Sequence, residues 1–181
     1  FLPNLKTKKV SYAVSCGSIA NSTALEKYRN EINNFDKISV RESMVKNKLS
    51  TIYNGSIQIV LDPTLLLQKE DYCELYSKKA VINKDYIFYY SINFTKDSLK
   101  SVSTLSKKTG LPVYTIFTSF HTSICKKYGI KIIYDGGPSE FLNLIANAKI
   151  VATNSFHGTA FSLIFNKNLY YLCDIVNGNL K

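Results

Sequence analysis

Ile150-Val151-Ala152-Thr153-Asn154-Ser155-Phe156-His157-Gly158-Thr159 is the stretch that decides the fold. Three apolar residues run straight into small hydroxyls, an amide and one imidazole, and an apolar helix is expected to open near Thr159. A short strand turning directly into a helix is the repeating unit of a parallel α/β sheet. In an open sheet such turns lie at the carboxyl ends of the strands, where ligands bind. The start of the helix there offers backbone N–H groups to an anion. A second turn of this type, Gly136-Gly137-Pro138-Ser139-Glu140, precedes the previous helix. Together they predict a pocket for a small, negatively charged substrate.

The same alternation extends in both directions. Val10 to Val14, Lys37 to Val40 and Ile57 to Leu61 read as strands. Leu25, Tyr28 and Ile32 give helical spacing to a segment over about residues 22–33. A polar helix is expected from Gln68 to Lys79, followed by residues 80–85 with no core pattern. Tyr86-Ile87-Phe88-Tyr89-Tyr90-Ser91-Ile92 is a continuous β-prone run of the kind found in a buried central strand. After it come a helix from Thr95 to Lys108, strands Pro112 to Phe117 and Lys131 to Tyr134, and a helix from Ser139 to Ala148. The strand at Ile150, a helix from Thr159 to Phe165 and a strand from Leu169 to Leu172 complete the pattern. The expected organisation is residues 1–67 as the C-terminal part of a first α/β domain and 68–85 as a linker with a crossing helix. Residues 86–181 then form a second, Rossmann-like domain. No initiator Met opens the chain, and it stops just after an apolar strand, so both domains are expected to be incomplete.

Bulk properties bound the function. The chain has 181 residues, 45% of them hydrophobic, enough for a sizeable core. No apolar run has the roughly 18 residues of a membrane span, and the N-terminus lacks a signal-peptide pattern, so a soluble, cytosolic protein is expected. The net charge of +10 comes from 21 Lys and only 2 Arg. That balance argues against a nucleic-acid reader, whose base and phosphate forks favour Arg. It fits a solvated basic surface and attraction to an anionic substrate or membrane face. Cys16, Cys73, Cys125 and Cys173 form no C-x-x-C pair. Neither zinc nor a disulfide framework is expected, and reduced, largely buried thiols are.

His157, flanked by Ser155 and Gly158 at a helix start, is placed for proton transfer near neutral pH, or alternatively caps the helix. Gly158 permits close approach of a ligand or of neighbouring backbone. His121, in a loop, reads as incidental. Arg41 ends a strand with a planar fork suited to a carboxylate or phosphate, the alternative being an ion pair with Glu42 or another acid. Asp62 either orients a hydroxyl or cationic partner or caps a helix with Pro63 at its first position. Glu140 lies in a first turn, where the helix dipole alone favours a carboxylate.

Four motifs in order, Ser39-Val40-Arg41-Glu42, Asp62-Pro63-Thr64-Leu65-Leu66-Leu67, Gly137-Pro138-Ser139-Glu140-Phe141-Leu142 and Thr153-Asn154-Ser155-Phe156-His157-Gly158-Thr159-Ala160-Phe161, resemble the bacterial polysaccharide pyruvyl transferases. The resemblance runs from Val10 to Leu169. It implies two Rossmann-like parallel-sheet domains like those of the B-type glycosyltransferases. It implies phosphoenolpyruvate as donor substrate, with no further cofactor and no metal, and a pyruvate ketal placed on two hydroxyls of a surface-polysaccharide sugar or its lipid-linked precursor. His157 and Arg41 would be catalytic, and Asn154, Ser155, Gly158, Thr159, Glu140 and Asp62 would bind substrate. Amides around Gly158 and Thr159 would cradle the departing phosphate, in a cleft between the two domains. A lipid-linked acceptor would bring the enzyme to the inner face of the membrane as a peripheral protein. Competing readings are a nucleotide-sugar glycosyltransferase on the same architecture and a non-catalytic domain of a polysaccharide-assembly complex.

Overall fold

The computed structural model describes residues 6–16, 25–76, 79–116, 122–173, 175–176 and 179–180. His121 and the start of the helix expected at about residue 22 lie outside them. The chain divides into two compact units, Phe1–Leu66 and Leu67–Lys181. Among the described residues no helix is long and apolar enough to cross a membrane.

The first unit holds a three-stranded parallel sheet of β1 (Val10–Val14), β2 (Lys37–Val40) and β3 (Ile57–Ile59), in that order. Helix α1 (Arg29–Asn33) lies between β1 and β2, and α2 (Ser43–Leu49), which the sequence pattern does not predict, lies between β2 and β3. Leu25, Ile38, Val40, Val45, Leu49, Ile52, Tyr53 and Ile57 form its core. Between Ser11 and Val14, β1 carries one residue more than the β2 segment it pairs with, so the strand bulges. Ala13 takes up the extra residue at φ 53°, a left-handed conformation unusual for a side chain with a Cβ. Ser39 closes the bulge: its Oγ accepts from the Ala13 N–H at 3.1 Å and donates to the Ser11 carbonyl at 3.1 Å. The serine that opens the Ser39–Glu42 motif therefore serves strand pairing.

The second unit begins with α3 (Lys69–Cys73), shorter than the helix expected over 68–79. Its sheet contains β4 (Ile87–Tyr90), β5 (Val113–Ile116), β6 (Ile130–Ile133), β7 (Ile150–Thr153) and β8 (Asn168–Tyr171), all parallel, in the order β6-β5-β4-β7-β8. The intervening helices are α4 (Lys96–Thr109), α5 (Thr122–Lys127), α6 (Pro138–Asn147) and α7 (Phe156–Ile164). A two-stranded antiparallel ribbon, β9 (Ile175–Val176) with β10 (Asn179–Leu180), follows. Of these, α5 and the ribbon were not expected from the sequence.

Strand side chains alternate between two cores. Ile87, Tyr89, Ile150 and Ala152 pack with Leu99 and Val102 of α4 and Cys125 of α5. Phe88 and Val151 pack on the other side with Tyr72 of α3, Leu142, Leu144 and Ile145 of α6, and Phe161 of α7. Each fully buried side chain of this size contributes roughly 1.5–3 kcal/mol. Tyr86, wholly buried, donates its hydroxyl to the Leu144 carbonyl at 2.7 Å, and burial pushes its phenol pKa up. Residues 67–85 are held to this unit in two places. Tyr72 meets Phe161 edge-on at 4.9 Å. Buried Asn143 of α6 accepts from the Val81 N–H and donates to the Lys79 carbonyl, each at 3.0 Å.

All four cysteines are free, as expected. Only Cys125 is buried, however, because Cys16 and Cys73 border the cores and Cys173 lies on the surface.

Ser39→Ala leaves the Ala13 N–H and the Ser11 carbonyl without their partner at a buried position, and is expected to cost about 1–3 kcal/mol. A denaturant titration reads this directly, and an unchanged midpoint would mean that the bulge does not depend on Ser39.

Candidate functional site

In the sheet of the second unit the chain runs outward from β4 through β5 to β6, then returns to the other side of β4 with β7. The gap between β4 and β7 at their carboxyl ends is the topological switch point, where open α/β sheets bind ligands. Two loops meet there. Asn154, directly after β7, places its Oδ1 2.9 Å from the Ser91 hydroxyl and 3.3 Å from the Ile92 N–H, directly after β4. The single Ser91 hydrogen is shared with the Asn93 carbonyl at 2.6 Å. Because the Ile92 N–H can only donate, the orientation of the Asn154 amide is set.

The turn into α7 is a chain of local bonds. Buried Thr153 accepts from the Ser155 N–H at 3.0 Å, and Ser155, the N-cap, accepts from the Gly158 N–H at 3.4 Å. The Ser155 carbonyl accepts from both the amide and the hydroxyl of Thr159, each at 3.0 Å. Two expectations change as a result. The helix starts at Phe156, three residues before the expected Thr159, because Ser155 caps it, so His157 lies inside the first turn. The Gly158 and Thr159 amides, expected to cradle phosphate, are engaged within that turn.

Gly158 also has a structural reason to be glycine. A Cβ there would lie 2.3 Å from Thr153 Oγ1, so the helix can approach the strand end only without a side chain at 158. His157 is exposed, with its ring edge-on to that of Phe156 at 5.3 Å. Glu140, in the first turn of α6, accepts the Gly137 N–H at 2.9 Å, with Pro138 at the first helical position. Its carboxylate completes the helix cap, a bond beyond the favourable helix dipole expected from the sequence.

In the first unit, Arg41 follows β2 and Asp62 follows β3, both at the carboxyl edge of the sheet. Arg41 Nη1 pairs with Asp62 Oδ2, and Nε with Glu42 Oε1 at 3.0 Å. Asp62 Oδ1 accepts from the Thr64 hydroxyl at 2.7 Å and the Thr64 N–H at 3.0 Å, capping the 3₁₀ turn Pro63–Leu65. Asp62 therefore plays both parts foreseen for it, cap and partner of a cation. Burial acts to raise the Asp62 pKa, but the Thr64 bonds and the Arg41 charge outweigh it and hold the carboxyl below its ordinary value. The other arginine, Arg29, pairs with Glu26 at 2.6 Å.

Sequence reasoning missed Ser91 and Ile92 as neighbours of Asn154. The available signal was their position directly after the continuous apolar run of β4. A hollow of about 850 Å³ in the first unit, between β1 and α1, is lined mainly by apolar residues such as Val10, Leu25, Phe35 and Leu49, with Lys8, Lys9 and Glu31 also on its wall. Among the described residues no group of three or more His, Cys, Asp or Glu is placed to hold a metal ion.

The sheet order and switch-point loops define a protein of two Rossmann-like α/β units, as solved structures also show. UDP-GlcNAc 2-epimerase from Methanocaldococcus jannaschii matches with a TM-score of 0.60 at 17% identity, over 97% of this chain and 57% of that one. UDP-N-acetylglucosamine 2-epimerase from Rickettsia bellii matches with a TM-score of 0.55 at 11% identity, over 93% and 50%. At such identities the likeness shows the fold alone, of the glycosyltransferase B kind. The chain spans about half the length of these structures. Among curated proteins no sequence matches significantly. The family is shown directly: the polysaccharide pyruvyl transferase model matches residues 1–172, and the chain belongs to that family.

Two outcomes follow from this geometry. Ala for Gly inside a helix normally gains about 1 kcal/mol, but at 158 the overlap with Thr153 reverses the sign. Gly158→Ala is expected to destabilise by roughly 1–3 kcal/mol in chemical denaturation, and a stabilised variant would contradict the close approach. The folded-state pKa of Asp62 is lowered, so the unfolded chain takes up its proton first as pH falls. The stabilisation is therefore full above the unfolded value of about 3.9 and is lost as pH drops through the lower folded value. Asp62→Asn should flatten the pH dependence of stability in that acid window; an unchanged profile would show that Arg41 and Thr64 do not set the shift.

Proposed function

We propose that the protein transfers pyruvate from phosphoenolpyruvate, as a ketal, to two hydroxyls of a saccharide of a bacterial surface polysaccharide or its lipid-linked precursor. The observation that supports this best is the place of Asn154–Gly158 at the switch point of the second unit, in a chain whose family membership covers residues 1–172.

The reaction adds a proton to the methylene carbon of the enol phosphate and a sugar oxygen to C2. Phosphate then leaves C2, and a second sugar hydroxyl closes the ring, one hydroxyl proton replacing that used at carbon and the other leaving with phosphate. His157 is the acid or base for these transfers: it is exposed at the carboxyl edge, on a helix turn held by Ser155 and Thr153. The Gly158 and Thr159 amides are engaged within the turn, which leaves side chains as candidates for holding the anion. Arg41, its fork fixed by Asp62 and Glu42, is a second candidate for recognising a carboxylate or phosphate. Phosphoenolpyruvate enters as substrate, and this reading calls for no resident cofactor or metal. A lipid-linked acceptor would place the reaction at the cytoplasmic face of the membrane, where a net charge of +10 favours an anionic surface.

The test uses the full-length protein with phosphoenolpyruvate and the producing strain's polysaccharide, depyruvylated by mild acid. Phosphate release that requires the saccharide, with ketal appearing on it, is expected. His157→Ala should slow release about 10²–10⁴-fold. Unchanged release in that variant would remove His157 from proton transfer. Consumption of a nucleotide sugar without a response to phosphoenolpyruvate would replace the reading with glycosyl transfer.

A further inference from the structure

The amino-terminal edge of the second unit's sheet, opposite the site, gathers positive charge. Strands β6, β5 and β4 are adjacent and parallel, so the segments that enter them lie side by side at that edge. Lys84 precedes β4, Lys107 and Lys108 close α4 ahead of β5, Lys126 and Lys127 close α5 ahead of β6, and Lys131 is the second residue of β6. All six are exposed, and among the described residues none forms an ion pair. Asp85 is the one carboxylate in these entering segments, and it pairs with Lys149 at 3.4 Å. Lys84 and Lys131 converge, their ammoniums lying 5.9 and 5.5 Å from the centre of the Tyr114 ring.

Helix dipoles account for part of this. A cation in the last turn of a helix is favoured, which covers Lys107, Lys108, Lys126 and Lys127. Lys84 and Lys131 lie on no helix and still share the edge. Holding like charges together without interspersed acids costs self-repulsion, which an anionic surface relieves. Composition narrows the partner. The second unit contains no arginine, so it lacks the forks that read nucleic-acid phosphates and bases. Its exposed rings among the described residues, Tyr134, Phe156, Tyr170 and Tyr171, lie toward the carboxyl ends of the strands, so none offers unpaired bases a stacking face at this edge. Ammoniums on flexible stems, spread over three strand entries, suit a layer of laterally mobile headgroups. We propose that the amino edge at β4, β5 and β6 is a docking face for an anionic phospholipid surface. A four-residue strand such as β4 spans roughly 13 Å, so docking holds the carboxyl edge, with His157, clear of the lipid by about that height. This docking does not depend on which reaction the site performs.

The experiment cosediments the full-length protein with vesicles of mixed phosphatidylglycerol and phosphatidylcholine, and with vesicles of phosphatidylcholine alone. Three double variants are compared: Lys107→Ala with Lys108→Ala, Lys126→Ala with Lys127→Ala, and, at the opposite end of α4, Lys96→Ala with Lys100→Ala. The unaltered protein is expected to bind the anionic vesicles, to be released from them by salt, and to ignore the neutral ones. A lysine near an anionic lipid surface is worth about fivefold in affinity, so losing either amino-edge pair should weaken binding roughly 25-fold. Losing Lys96 and Lys100, an equal charge, should change it by less than about twofold, because they lie beyond the screening length from the lipid. No binding to anionic vesicles, equal binding to neutral ones, or an equal loss from all three pairs overturns the proposal, the last because net charge alone then suffices. So does a single-stranded oligonucleotide bound more tightly than the vesicles at the same salt, which would give the face to nucleic acid.

Discussion

The arrangement at the second unit's carboxyl edge depends on one side-chain amide. Asn154 Oδ1 takes hydrogens from Ser91 and Ile92 and so joins the loops leaving β4 and β7, the two strands between which the winding of the sheet reverses. Strand pairing brings these loops together: Tyr90 pairs with Thr153 at the last register position of the two strands. It does not set their conformation, because the ladder ends there. Asparagine suits the position, since its carbonyl oxygen can accept from a hydroxyl and a backbone amide at once. The direction of α7, and with it the position of His157, follows from the turn that Asn154 begins.

Much of the conspicuous chemistry at both carboxyl edges serves the fold. Thr153 and Ser155 form the N-terminal cap of α7, Glu140 that of α6, and Asp62 that of the 3₁₀ turn after β3. Ser39 closes a bulge and Gly158 makes room for Thr153. By doing so these residues fix rigid platforms that carry exposed groups. His157, Phe156 and Ile92 are exposed groups on such a platform in the second unit. In the first unit Arg41 is held by two carboxylates at the edge of its sheet.

The strands and longer helices were legible in the sequence because their patterns are strong. The run from Tyr86 to Tyr90 contains the buried core of β4, and Thr95 and Gly110 bracket α4 as its N- and C-caps. The short helices α2 and α5 were not legible. In α2 only Val45 and Leu49 are buried, one spacing that cannot be told from chance. The sequence alone does not fix the start of α7, because Ser155, Gly158 and Thr159 all look like boundary residues. Only the bond from the Gly158 amide to Ser155 decides among them. In the site, His157 and Asn154 stood out as unusual residues at a strand-to-helix turn. Their neighbours Ser91 and Ile92 lie 63 and 62 positions away from Asn154, and that separation is the reason local pattern missed them. The glycine at 158 was legible as a close approach, but the group approached, the Thr153 side chain, appears only in three dimensions.

Donor binding at the switch point of the second unit is tested most directly by a crystal structure of the full-length protein with phosphoenolpyruvate. The donor is expected at the carboxyl ends of β4 and β7, in contact with His157 and bordered by the Asn154 bridge. A donor seated at the amino ends of the strands, or in the apolar hollow between β1 and α1, would contradict it.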